Sequence, residues 1–133
     1  MSETMGEAMS KVQHLDEAGL IQALAAHELV LIAFWAPWCG PCQAFAPVFA
    51  EVAEEYDDVL FGKVNVDAEP SLAAQFAVRS IPMLMAVREG LVLYAQPGGV
   101  SASALRELLD HVQAVDMAEV RAALSQSSDV RTK

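Results

Sequence analysis

Cysteine is scarce: the 133 residues include two, Cys39 and Cys42. That excludes the disulfide framework that holds small secreted domains together. A structural zinc site takes about four Cys or His ligands, and His14, His27 and His111 all lie far from the cysteines in sequence, so neither a metal nor another cofactor is expected. Basic residues are also few. Eight Lys and Arg stand against 18 Asp and Glu, for a net charge of −10, and the basic residues do not cluster. Nucleic acid and anionic membrane surfaces are thereby excluded as partners. Charge of either sign is missing from Leu29 to Ala50. The stretch is long enough to suggest a membrane span, but Pro37, Gly40, Pro41 and Pro47 interrupt it and its hydrophobic period changes midway, which rules out a spanning helix.

What the chain does contain is a hydrophobic fraction of 54%, enough at this length for one domain with its own core. Both cysteines fall in Trp38-Cys39-Gly40-Pro41-Cys42, at the junction of two different patterns. Leu29 to Phe34 is a continuous apolar run, as in a strand buried on both faces. From Cys42 onward Phe45, Val48, Phe49, Val52 and Tyr56 recur at three and four residues, with Glu51, Glu54 and Glu55 between them, which predicts a helix with one buried face. Cys39 then falls at or just before the first helical turn, where unpaired N–H groups and the helix dipole favour negative charge. No neighbouring charge competes with them. Cys39 is the expected thiolate, and Cys42, one turn on, is placed to displace whatever Cys39 captures. A purely structural disulfide across so small a loop would stabilise little.

Residues 1–11 read as a flexible tail, with Met1, Met5 and Met9 spaced as one helix face too short to persist alone. The segment from Met1 to Val12 has no apolar core of signal-peptide length, so a cytoplasmic protein is expected. Thiols are kept reduced in that compartment, which favours a catalytic role for the pair. Val12 to Leu15 predicts a short edge strand, and Asp16 predicts the cap of a helix to about Ala26 with Leu20, Ile21 and Leu24 inward. Pro47 should kink the long helix, and Asp57-Asp58 should end it. Val59 to Val66 reads as a second core strand, and Asp67 to Ser71 as the start of a helix leading to Leu72, Phe76 and Val78. Pro82 to Arg88 and Leu91 to Gln96 form a hairpin turning at Glu89-Gly90. Ser101 caps a helix carrying Leu105, Leu108, Leu109 and Val112 inward. Asp116 opens a short helix to Leu124, and the tail from Ser125 is expected to be disordered. The fold class is α/β, a mixed sheet with helices on both faces. Its domain spans 12–113, followed over 114–133 by the short helix and tail.

The order of these elements, together with Phe34-Trp35-Ala36-Pro37-Trp38-Cys39-Gly40-Pro41-Cys42 and the later Ile81-Pro82, resembles the thioredoxin family over about residues 12–113. The resemblance implies the thioredoxin fold and a disulfide reductase recharged by a thioredoxin-reductase-type electron donor and acting on disulfide-containing client proteins. It implies Cys39 as the attacking thiol and Cys42 as the resolving one, framed by Trp38, Gly40 and Pro41. It also implies a cis Pro82 beside them, a client-docking surface of Trp38, Ile81, Pro82, Met83 and Gly98, and supporting roles for Trp35 and Lys63. Three positions depart from the family pattern. Ala33 stands where many members bury an Asp that serves as base for the resolving thiol, near a Lys that Lys63 matches; Met83 replaces a frequent Thr; Gln43 replaces a common Lys or Arg. Because Ala33 cannot act as a base, the alternative is a client-holding module with weak redox turnover.

Overall fold

The computed structural model describes the backbone of residues 11–132 and the side chains of residues 11–126. Residues 1–10 of the expected tail, with the Met1, Met5 and Met9 face, lie outside the described residues. Among the described residues ten elements follow in order: β1 (Gln13–His14), α1 (Glu17–Ala26), β2 (Leu29–Trp35), α2 (Gly40–Ala53), β3 (Leu60–Asn65), α3 (Pro70–Gln75), β4 (Met83–Arg88), β5 (Leu91–Pro97), α4 (Ala102–Ala114) and α5 (Met117–Thr132). The strands make one sheet in the order β1-β3-β2-β4-β5. β1, β3 and β2 run parallel, whereas β4 is antiparallel to both β2 and β5.

β2 is central and apolar throughout because each face meets different helices. Leu29, Leu31 and Ala33 point toward Phe45, Phe49 and Val52 of α2 and Leu105, Leu109 and Val112 of α4. Val30, Ile32 and Phe34 point the other way, toward Leu20 and Ala23 of α1 and Leu72 of α3. Strand alternation thus divides one apolar run between two core layers. Ring contacts stitch the first layer together, with Phe49 5.7 Å from Phe45 and 5.2 Å from Phe61, centroid to centroid.

The caps explain where helices begin. Asp16 Oδ1 accepts from the Gly19 N–H at 2.7 Å and Ser101 Oγ from the Ala104 N–H at 3.1 Å, each satisfying a donor that the first turn leaves free. The β4–β5 turn puts Glu89 at φ 51° and Gly90 at φ 80°, the paired left-handed geometry of a two-residue hairpin that suits the twist of its strands.

Four expectations are corrected. Ile21 faces solvent at 63% exposure, and Ala23 is buried in the helix instead; the 3.6-residue period puts 20, 23 and 24 on the side that meets the sheet. The long helix ends at Ala53, before Asp57-Asp58, because Glu54, Glu55 and Tyr56 donate to carbonyls three residues back and tighten the chain into a turn. α3 stops at Gln75, with Ala77 at φ 55°, so Phe76 and Val78 reach the core from the following turn. Finally, helical backbone runs to Thr132, through the stretch expected to be disordered from Ser125. Ala122, Ala123 and Leu124 are strong helix formers, and Asp116 Oδ1 accepts from the N–H groups of Ala118 and Glu119 at 3.0 and 3.2 Å to start it. Pro47 lies within α2 without ending it.

Candidate active site

The cysteine pair sits where β2 hands the chain to α2. Cys39 is the N-cap, in extended backbone geometry (φ −87°, ψ 110°), with Gly40 and Pro41 opening the helix. Proline fits there because its missing N–H would have had no partner in the first turn. Cys39 and Cys42 are joined in a disulfide, their Cα atoms 5.3 Å apart. The Cys42 N–H donates to Cys39 Sγ at 3.2 Å. A sulfur at an N-cap that accepts a backbone N–H is placed to carry negative charge once the disulfide opens. Both cysteines are 4% exposed, packed with Ala36 against Trp35, Val66 and Ile81.

The Ile81–Pro82 bond is cis, as the resemblance implied. Pro82 O accepts from the Gly98 N–H at 2.7 Å, and Gly98 adopts φ 94°, a conformation that side-chain-bearing residues avoid. This bond ties the segment ahead of β4 to the one that follows β5. Met83 lies within the ladder, opposite Phe34 on one side and Pro97 on the other, whereas Ile81 precedes the strand. Gly99 is pinned for a different reason: a Cβ there would come within 3.0 Å of the Phe45 side chain.

Trp38 is 70% exposed beside the disulfide, and its Nε1–H donates to Asp67 Oδ2 at 2.9 Å. Gln43 Nε2 donates to Pro37 O at 2.6 Å, so the residue in place of a common basic one fastens the loop ahead of the cysteines. Sequence reasoning missed Asp67, because nothing in its local pattern reveals a partner 29 residues away. Asn65 offers a local explanation of its placement: Oδ1 accepts from the N–H of Asp67 at 2.9 Å, an Asx turn after β3.

Beneath Cys42, Ala33, Trp35, Phe45, Lys63 and Pro82 line a small cavity of ≈ 10 Å³, about enough for one water. Ala33 is opposite Lys63 in the β2–β3 ladder and is 3% exposed. Lys63 Nζ stands 4.6 Å above the Trp35 ring, a cation–π contact. Burial holds its ammonium pKa below the ordinary lysine value, because removal from water disfavours the charged form. Among the described residues no group of His, Cys, Asp and Glu could hold a metal ion, and no helix is long and apolar enough to cross a membrane.

The family model for thioredoxin matches residues 11–111. The chain belongs to the thioredoxin family. A relative from Streptomyces coelicolor is 42% identical over 118 residues, 89% of this chain and 88% of its own length. Thioredoxin of Haemophilus influenzae is 38% identical over 104 residues, 77% of this chain and 97% of its own. Among solved structures, a mutant thioredoxin from Halobacterium salinarum matches with a TM-score of 0.74 at 28% identity, covering 79% of this chain and 93% of that one. With the cysteine pair three residues apart and able to bond, this member of the family is a thiol–disulfide oxidoreductase. Membership in the family favours exchange chemistry over the client-holding alternative.

Proposed function

We propose that this protein reduces protein disulfides, with Cys39 as the attacking thiol and Cys42 as the resolving one. The observation that carries the assignment is the position of Cys39 at the N-cap of α2 with the Cys42 N–H on its sulfur. The Cys39 thiolate attacks one sulfur of a client disulfide. A mixed disulfide forms and the other client sulfur leaves as a thiolate that takes up a proton. Cys42 then attacks Cys39 Sγ, the bond to the client breaks, and the second client thiol departs. Two electrons have passed from the dithiol to the client, leaving Cys39–Cys42 oxidised.

Trp38, Ile81, Pro82, Met83 and Gly98 form the client-docking surface. With both cysteines nearly buried, a thin extended client segment reaches the sulfur better than a folded surface does, and the backbone at Ile81, ahead of β4, is the place for such a segment to pair. Trp35 and Lys63 support the pair from below. A thioredoxin-reductase-type donor returns the protein to its dithiol form, and the reducing chemistry suits a cytoplasmic setting with a role in electron transport and redox homeostasis. Residues 12–113 carry this activity, and 114–133 are an appendage to it.

An insulin-type reduction assay with a small dithiol recycling the protein is expected to show turnover. Cys39→Ser should abolish it, and Cys42→Ser should instead accumulate a mixed disulfide detectable by mass. Capture by Cys42 in the Cys39→Ser protein, with none by Cys39 in the Cys42→Ser protein, would reverse the two roles.

A further inference from the structure

Among the described residues two that carry side chains adopt the left-handed backbone conformation, Ala77 at φ 55° and Glu89 at φ 51°. Glu89 belongs to the β4–β5 turn, whose geometry requires it. Ala77 lies one residue past the cap of α3, its N–H donating to Ala74 O at 3.1 Å and the Val78 N–H to Ala73 O at 2.9 Å. A helix that ends in this way ordinarily carries glycine at that position. Alanine there costs free energy, because its Cβ crowds the carbonyl oxygen that follows. Ala77 is exposed, so its methyl gains little packing in return. What holds the conformation is the packing on either side: Phe76 and Val78 are partly buried against the core layer of Phe34, Leu72 and Met85, with the Phe76 ring 5.8 Å from that of Phe34. Strain of this kind persists only where the surroundings over-determine it, and it gathers at functional sites. Past Val78 come exposed Arg79 and Ser80, then Ile81, which packs against Ala36, Cys39 and Cys42, and Pro82.

We propose that Ala77 is a positioning residue for client docking: its methyl confines the turn after α3 to one narrow conformation and so holds Ile81 and Pro82 ready beside the cysteines, at a cost in stability. The inference rests on the docking surface of the proposed function. For alanine the left-handed region is a small basin, whereas glycine ranges freely across positive φ. The methyl therefore fixes the direction in which the chain leaves α3. A client segment that pairs at Ile81 finds that backbone already ordered, and the entropy of ordering it is not lost on binding. The exchange steps at Cys39 and Cys42 are unaffected, since Ala77 touches neither sulfur and changes no charge.

Ala77→Gly moves stability and docking in opposite directions, which a purely structural role would not. Relief of the left-handed strain should raise the thermal midpoint by about 2–5 °C. KM for a protein disulfide should nevertheless rise about three- to tenfold, the size of ordering a residue or two on binding, with kcat and the rate of reaction with a small aromatic disulfide unchanged. Ala77→Asn keeps a Cβ yet tolerates the left-handed conformation, and should hold KM near the parent value. An unchanged KM in Ala77→Gly overturns the proposal, as does a thermal midpoint that fails to rise. A KM raised as far by Ala77→Asn as by Ala77→Gly overturns it equally. Ile81→Ala tells the two levels apart. If it leaves KM for the protein client unchanged, the docking surface itself is misassigned; if it raises KM while Ala77→Gly does not, only the role of Ala77 is wrong.

Discussion

Ala33 changes the chemistry of its surroundings more than its size indicates, because it removes an acid from a site where Lys63 and Cys42 share one cavity. Ala33→Asp tests what that substitution does. The new carboxyl, buried with room for little more than a water, should cost about 1–3 kcal/mol at neutral pH. Desolvation raises its pKa in the folded state, so the charged form is the disfavoured one. The destabilisation should therefore be smallest below the unfolded Asp range of about 4 and grow as pH rises through it toward the raised folded value. Thermal melts of the two proteins at acid and neutral pH check this. The pH dependence of disulfide turnover should acquire the titration of the acid. If turnover and thermal midpoint are both unaltered, Ala33 has no role of its own. At this scale the cysteine pair at a helix start was legible from the sequence, because a short motif states its own spacing, and the cis bond at Pro82 followed from the family resemblance. Asp67 under Trp38 was not legible, since the bond joins two loops that only the folded sheet brings together.

Helices α2 and α4 pack on the same face of the sheet and are joined at the surface by one arginine. Arg106 Nε and Nη2 reach Glu55, at 2.7 and 2.8 Å, and Nη2 reaches Glu51 at 3.2 Å. The fork lowers the Glu55 pKa, first through its hydrogen bond and then through its charge. A depressed carboxyl pKa contributes stability that is present above the unfolded value of 4.5 and is lost as pH falls through the folded value. Arg106→Met should accordingly lower the denaturant midpoint slightly at neutral pH, with the difference from the parent vanishing in acid and shrinking in high salt. A difference that persists in acid would show that the arginine acts through packing of its stem. Arg88 plays a less exposed part. Its Nη1 donates to the carbonyls of Val112, Gln113 and Val115 at 2.8–3.0 Å, capping the end of α4 against β4. Helix starts were readable from Asp16, Ser101 and Asp116. The end of α2 was not, because the i→i+3 turns that close it use backbone groups that no residue type announces.

Across the whole molecule the two ends of the sheet do different work. The cysteines follow the C-terminal end of β2, near Pro82 at the start of β4, whereas α5 attaches at the other end, with Met117 buried and Arg121 paired with Glu89 in the β4–β5 turn. Ending the chain after Asp116 should therefore lower the thermal midpoint, by about 1–3 kcal/mol in stability for the lost burial of Met117, while the rate of disulfide reduction is retained. Loss of activity in a truncated protein that still melts cooperatively would tie α5 to the site. The sequence by itself determined the α/β class, the buried central strand and the cysteine-bearing helix start, since hydrophobic period and N-cap chemistry are local and act within a few residues of the chain. Only the tertiary structure decided which side of each strand meets which helix, how far α5 extends, and that Lys63 and Cys42 face one cavity. Those depend on register and packing between segments distant in sequence, and a one-residue change in either would carry every side chain to a different neighbour.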